Sequence, residues 1–142
     1  MNRAMLVASL AAAFACGGGA TSYSSDPAAN QVAGQLSGHW SLVIGDLCPA
    51  TTPGAIEITT AIASPGIVNG GGTWSCANES GPFAVTVTLS GAGWNAAADF
   101  YRSGYVSLAE WKGTGDYAPS AMSGLVDTTG AGTTTVWTAQ HR

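Results

Sequence analysis

The side chains best suited to binding another molecule are four aromatic residues, Trp74, Trp94, Tyr101 and Trp111, which fall on different predicted strands or turns. If the chain folds into a small barrel, inward-facing rings of this kind can line a pocket for an apolar or planar ligand. The same rings can instead fill the core, because a chain with 20 glycines has few other large side chains to bury. The sequence leaves both interpretations open.

Patterns for catalysis or metal binding do not stand out. His39 and His141 flank the two ends of the predicted domain, and a zinc site would need a further ligand that the sequence does not place. The carboxylates are scattered, and the common hydrolase, phosphate-loop and zinc-protease motifs are absent. Four basic against eight acidic residues give a net charge of −4, which argues against a nucleic-acid partner. We expect no enzyme activity, metal or cofactor.

The chain begins with the features of a secretory signal peptide over residues 1–15. Arg3 supplies a positive start. The apolar run over residues 5–15 is about 11 residues long, which fits a signal core and falls short of the ~20 that a spanning helix needs.

The end of this run, Ala13-Phe14-Ala15-Cys16, resembles the signal of bacterial lipoproteins, in which a small residue precedes a cysteine that is lipidated after cleavage. The resemblance implies a lipid anchor on Cys16 and a place in the cell envelope. Because Gly17 stands where an aspartate tends to retain such proteins in the inner membrane, it also implies the outer membrane. The alternative is an ordinary signal peptide, cleaved after Ala15 without lipidation.

The cysteine count agrees with that resemblance. The chain has three cysteines, and lipidation of Cys16 would leave Cys48 and Cys76 as a single pair. A secreted protein permits a disulfide between them, and free thiols are the alternative.

Residues 16–37 are predicted to be the lipidated cysteine and a flexible tether, since Gly, Ala, Ser and Thr predominate and no clear period is visible. Such a tether would reach about 25 Å. A short helix over residues 28–36 that caps the domain is the alternative.

Residues 38–142 form the predicted folded domain. Apolar side chains alternate with polar ones in short segments between glycines and prolines, which is typical of half-buried strands. Eight segments are predicted, over residues 38–44, 56–62, 67–76, 83–89, 96–101, 105–111, 121–126 and 133–139. We therefore predict an all-β fold, a single antiparallel meander of about eight strands that closes into a small barrel, with a two-sheet sandwich as the alternative.

The two ends of this domain resemble those of lipocalins and avidins, the calycin-type barrels. Gly38-His39-Trp40 opens the first strand, and the chain ends in Trp137-Thr138-Ala139-Gln140-His141-Arg142. The resemblance, shared with small bacterial lipoproteins of unassigned function, implies that Arg142 packs over the ring of Trp40 and closes one end of the barrel. The polar residues with which avidins hold biotin have no match here.

The sequence thus predicts a lipid-anchored envelope protein that is a small-apolar-ligand binding module. The alternative is a structural or partner-binding envelope lipoprotein with a filled core and no ligand.

Overall fold

The computed structural model of the protein describes residues 20–104 and 109–142. Over these residues the chain is all-β with one short helix. The elements follow in the order β1 (Ala20–Ser22), α1 (Pro27–Leu36), β2 (Gly38–Ile44), β3 (Gly54–Ser64), β4 (Ile67–Cys76), β5 (Glu79–Ser90), β6 (Gly93–Tyr101), β7 (Glu110–Ala118), β8 (Ala121–Asp127) and β9 (Thr134–His141).

Strands β2 to β9 form a closed antiparallel barrel. Each strand pairs with the next, and β2 also pairs with β9, so that the eight strands make a ring. At this closing seam Trp40 lies opposite His141, and Ile44 lies opposite Trp137. The predicted barrel, with its first and last strands paired, is confirmed, and the sandwich alternative is wrong. Closure also removes open strand edges, which a chain with 8% charged residues has few means to protect.

The two ends of the barrel differ in construction. At the end where β3 turns into β4 and β7 into β8, α1 packs across the opening, and we call this the helix end. The N-cap residue of α1, Asp26, ties the helix there, because its carboxylate accepts hydrogen bonds from the backbone N–H of Ala28 at 2.9 Å and of Gly66 at 2.8 Å. The opposite end holds the β2–β3, β6–β7 and β8–β9 connections, and we call it the loop end.

Residues 20–36 are not the flexible tether that we predicted. β1 pairs in parallel with β3, with Ala20 opposite Thr60. The helix of the alternative prediction is present as α1, with Asp26 as N-cap and Pro27 at its first position. The buried residues of α1 lie at helical spacing and are Ala29, Val32, Ala33 and Leu36. Two of the four are alanines, and these small side chains obscured the apolar stripe in the sequence. Cys16 and the predicted signal peptide lie outside the described residues.

One predicted strand is displaced along the chain. The segment over residues 105–111 was expected to be a strand, but β7 runs from Glu110 to Ala118, and residues 105–108 lie outside the described ranges. β7 was missed because Gly113 and Gly115 occupy inward positions, where the alternation of side chains gives no signal. The segment predicted over residues 96–101 does lie in a strand, β6.

Inward glycines make room for the largest side chains. A Cβ added at Gly113 would lie 3.0 Å from Nε1 of Trp137, so the indole packs directly on the backbone of β7. Similarly, a Cβ at Gly70 would lie 2.9 Å from Cδ2 of Leu36, the last residue of α1. The helix end is therefore filled by α1, and aromatic rings fill the interior toward the loop end.

Candidate functional site

Five aromatic side chains meet inside the barrel toward the loop end, and we call them the aromatic cluster: Trp74, Phe83, Phe100, Trp111 and Trp137. Each is at most 3% exposed. The ring centroids lie 5.3 Å apart for Trp74 and Trp111, 5.1 Å for Phe83 and Phe100, and 5.6 Å for Phe100 and Trp137. These are the separations of packed, edge-on or tilted aromatic pairs.

Only two of the four residues proposed for a ligand pocket belong to this cluster. Trp74 and Trp111 are adjacent, but Trp94 lies near the helix end, half-buried, opposite Tyr117 of β7. Tyr101 follows the inward Phe100 by one residue and therefore points outward, with 40% of its surface exposed. Its backbone carbonyl accepts a hydrogen bond from Nε1 of Trp74 at 2.8 Å. The predicted four-residue pocket is wrong as a single site.

Sequence reasoning missed three members of the aromatic cluster. Phe83 and Phe100 lie in phase with the inward residues of predicted strands, so the alternation could have found them. Trp137 was assigned to the last strand, but its indole packs on Gly113 of β7, which the sequence of β9 does not show.

Two indole nitrogens in the cluster have no hydrogen-bond acceptor among residues 20–104 and 109–142. Nε1 of Trp111 and Nε1 of Trp137 are buried, and neither makes a hydrogen bond within the described part of the chain. A buried N–H without an acceptor is destabilising by about 1–3 kcal/mol. These two donors are the feature of the interior best suited to interact with a polar atom of another molecule.

An arginine does pack over a tryptophan in this barrel, but the pair is Arg102 and Trp111. The guanidinium carbon of Arg102 lies 4.7 Å from the ring centroid of Trp111. The same guanidinium forms an ion pair with Glu79, with Nη2 2.8 Å from Oε1, and both side chains are largely buried. This pair covers the aromatic cluster at the loop end. Nothing in the sequence pattern around Arg102 or Trp111 indicated this contact.

The predicted contact between Arg142 and Trp40 is wrong. Trp40 is fully buried, as expected, but the ring that packs edge-on against it at 4.8 Å is that of His141. Arg142 is exposed and donates a hydrogen bond to the hydroxyl of Ser41, on the other face of β2. The reason is register: His141 is the residue opposite Trp40, so the next residue along the chain lies on the outer face.

Trp40 also joins α1 to the barrel. Its Nε1 donates a hydrogen bond to the carbonyl oxygen of Leu36 at 2.9 Å. The last carbonyls of a helix have no partner within the helix, so this indole satisfies one of them in a buried place.

Cys48 and Cys76 form the predicted disulfide at the loop end. Their Cα atoms are 5.4 Å apart, within the usual range for a disulfide. Both cysteines are buried. The bond holds the β2–β3 connection against the end of β4, beside Gly54, where a Cβ would lie 2.6 Å from Sγ of Cys48.

Charged side chains on the outer surface stabilise one another. A depression of about 420 Å³ at the loop end is bordered by Glu110, Lys112 and Asp127. Nζ of Lys112 lies 3.1 Å from Glu110, and the hydrogen bond to that carboxylate raises the pKa of the lysine. Hydrogen bonds from the backbone N–H of Thr129 and of Gly130 and Gly132 lower the pKa of Asp127 and order the β8–β9 loop. These contacts organise the surface and leave the interior apolar.

No arrangement for metal chemistry is present in the described ranges, since no three His, Cys, Asp or Glu side chains come together there. His39 and His141 lie on opposite faces of the seam between β2 and β9, because His141 pairs with Trp40.

The phenol of Tyr117 lies 3.4 Å from Oε1 of Gln35 in α1, and burial raises its pKa to about 12, so the group is neutral at physiological pH.

No protein-family model, curated protein or solved structure matches this chain. The closed eight-stranded antiparallel barrel is consistent with a calycin-like fold. Of the helices in the described residues, none is long and apolar enough to cross a bilayer.

Proposed function

We propose that this chain is a lipid-anchored protein of the bacterial cell envelope whose barrel is a structural or partner-binding domain with a filled core. The observation that carries the proposal is the aromatic cluster. Its rings occupy the part of the barrel that would have to be empty to hold a ligand. A filled barrel leaves the outer surface as the part of the molecule available for contacts with other envelope proteins.

The filled interior is tested by comparing the wild-type protein with Trp111→Ala. An engineered apolar cavity of on the order of 150 Å³ is large enough to bind benzene. The wild-type barrel should therefore bind neither benzene nor indole, while the variant should bind one of them and gain thermal stability from it. Saturable binding by the wild-type protein would show that its interior is open.

The anchor rests on Cys16 and the small residues before it. Replacing Cys16 by Ser should move the protein from the membrane fraction to the soluble fraction of the envelope. Leu47→Ser, on an exposed loop residue, is a control that should stay in the membrane fraction. A wild-type protein that is already soluble after secretion would contradict the anchor. We further propose the outer membrane as its location, on the basis of Gly17.

A small-ligand binding module is the second candidate function, and the two unpaired indole N–H groups favour it. A ligand with a carbonyl or ether oxygen could accept from Trp111 or Trp137 while its apolar part contacts the other rings. Reaching them would require the Arg102–Glu79 pair to move aside. A protein that releases a small molecule on mild denaturation would establish this function in place of the first.

A further inference from the structure

The chain enters the folded domain on the side of the barrel. β1 pairs with the second half of β3, with Ala20 opposite Thr60 and Ser22 opposite Ile62. In the sequence, residues 17–19 are all that separate Cys16 from Ala20. Four residue steps span at most about 14 Å even when fully extended. A lipid on Cys16, as in the proposed function, is therefore held close to the middle of β3.

Exposed apolar side chains lie beside this entry point. Ile62 on β3 is 51% exposed and Ile67 on β4 is 38% exposed. They share the outer face, because Ile67 lies opposite Ser64, two residues from Ile62. Large apolar groups at this exposure lose contact with water when they meet a lipid surface.

Charge is distributed unevenly around the barrel. β3, β4 and α1 together carry one charged residue, Glu57. The other side of the ring carries five charged residues on β6, β7 and β8, namely Asp99, Glu110, Lys112, Asp116 and Asp127. The side at which the anchor attaches thus carries fewer charges than the side formed by β6, β7 and β8.

We infer that the outer faces of β3 and β4, with Ile62 and Ile67, lie against the lipid surface in which Cys16 is anchored. The domain is held on the membrane in one orientation, with β7 and β8 turned away from the lipid. This inference rests on the proposed anchor, since the short connection fixes the orientation only if Cys16 is lipidated.

The test uses the full-length lipidated protein in vesicles of phosphatidylethanolamine and phosphatidylglycerol that contain a headgroup-labelled quencher lipid. With Cys16 acylated and Cys48 bonded to Cys76, a cysteine introduced at Ile62 is available for a fluorescent label. Leu125→Cys is the matched control, because Leu125 on β8 is 50% exposed and lies on the far side of the barrel. We expect the quencher to reduce the emission of the label in Ile62→Cys at least threefold more than in Leu125→Cys.

Equal quenching at the two sites, or stronger quenching in Leu125→Cys, would overturn the orientation. A disulfide formed between two copies of Ile62→Cys in the vesicles would also overturn it, by assigning this face to a second copy. If Ile62→Cys does not fold by circular dichroism, Ile67→Cys takes its place with the same expected result. A protein without an acyl group on Cys16 that fails to bind the vesicles refutes the proposed anchor itself, whereas an acylated, bound protein with equal quenching refutes the orientation alone.

Discussion

Replacing Trp40 should separate the contributions of the barrel seam and the helix. Trp40→Ala removes a fully buried indole, and such a truncation lowers the free energy of unfolding by about 3–5 kcal/mol. It also leaves the carbonyl of Leu36 without its donor in a buried place, which is destabilising by about a further 1 kcal/mol. The sum is a large part of the 5–15 kcal/mol typical of a domain of this size.

The matched substitution is Trp40→Phe. The phenyl ring keeps most of the apolar contact but has no N–H, so we expect a loss of about 1–2 kcal/mol, of which about 1 kcal/mol comes from the unpaired Leu36 carbonyl. Because that hydrogen bond holds the last turn of α1, hydrogen exchange of α1 amides should accelerate more than that of the barrel strands. Deleting Arg142, whose contact is with an exposed hydroxyl, should change stability by less than about 0.5 kcal/mol.

The measurement is equilibrium unfolding in urea, followed by far-ultraviolet circular dichroism with the disulfide intact. The order of the three variants is the test: Trp40→Ala most destabilised, Trp40→Phe intermediate and the Arg142 deletion near the wild type. A deletion of Arg142 that is as harmful as Trp40→Ala would refute the contacts described here and restore the arginine-over-tryptophan closure at the helix end.

Three further predictions concern the loop end. The double variant Cys48→Ala/Cys76→Ala should lower the free energy of unfolding by about 3–4 kcal/mol through loop entropy, as measured in urea; a loss below 1 kcal/mol would contradict it. Arg102→Met should lower the free energy of unfolding by about 2–3 kcal/mol. It should also increase the quenching of tryptophan emission by acrylamide, because the cover over Trp111 is lost. Unchanged quenching would contradict this. The pKa of Asp127 is lowered in the folded protein, so its carboxylate stabilises the fold above the unfolded pKa of 3.8, and this stabilisation is lost as the pH falls through the folded pKa. Urea midpoints measured from pH 6 to 2 should therefore fall less steeply in Asp127→Asn than in the wild type. The same dependence of the midpoint on pH in both proteins would contradict the assignment.

The barrel could be predicted because its strands carry the signal themselves. In β5, Phe83, Val85 and Val87 alternate with smaller or polar residues, and the structure buries this apolar set. Since side chains of a strand alternate between its faces, one strand read in isolation already tells which residues face the core. Closure followed from the same pattern, because eight such strands with few charges are stable only when their edges pair.

The contacts across the barrel could not be predicted in the same way. Whether an arginine covers a tryptophan depends on register between strands that are distant in sequence. A shift of one residue at the seam decides that His141, and not Arg142, meets Trp40. The signal for α1 was present in Asp26-Pro27 and in the spacing of Val32 and Leu36, but it was weak because the other buried positions are alanines.

The most direct test of the account is native mass spectrometry of the full-length protein extracted from the membranes of a bacterial host. The account predicts a chain that begins at Cys16, carries acyl groups on that residue and holds no non-covalent small molecule when the ions are activated. An unmodified Cys16 would contradict the anchor, and a small molecule released on activation would contradict the filled barrel.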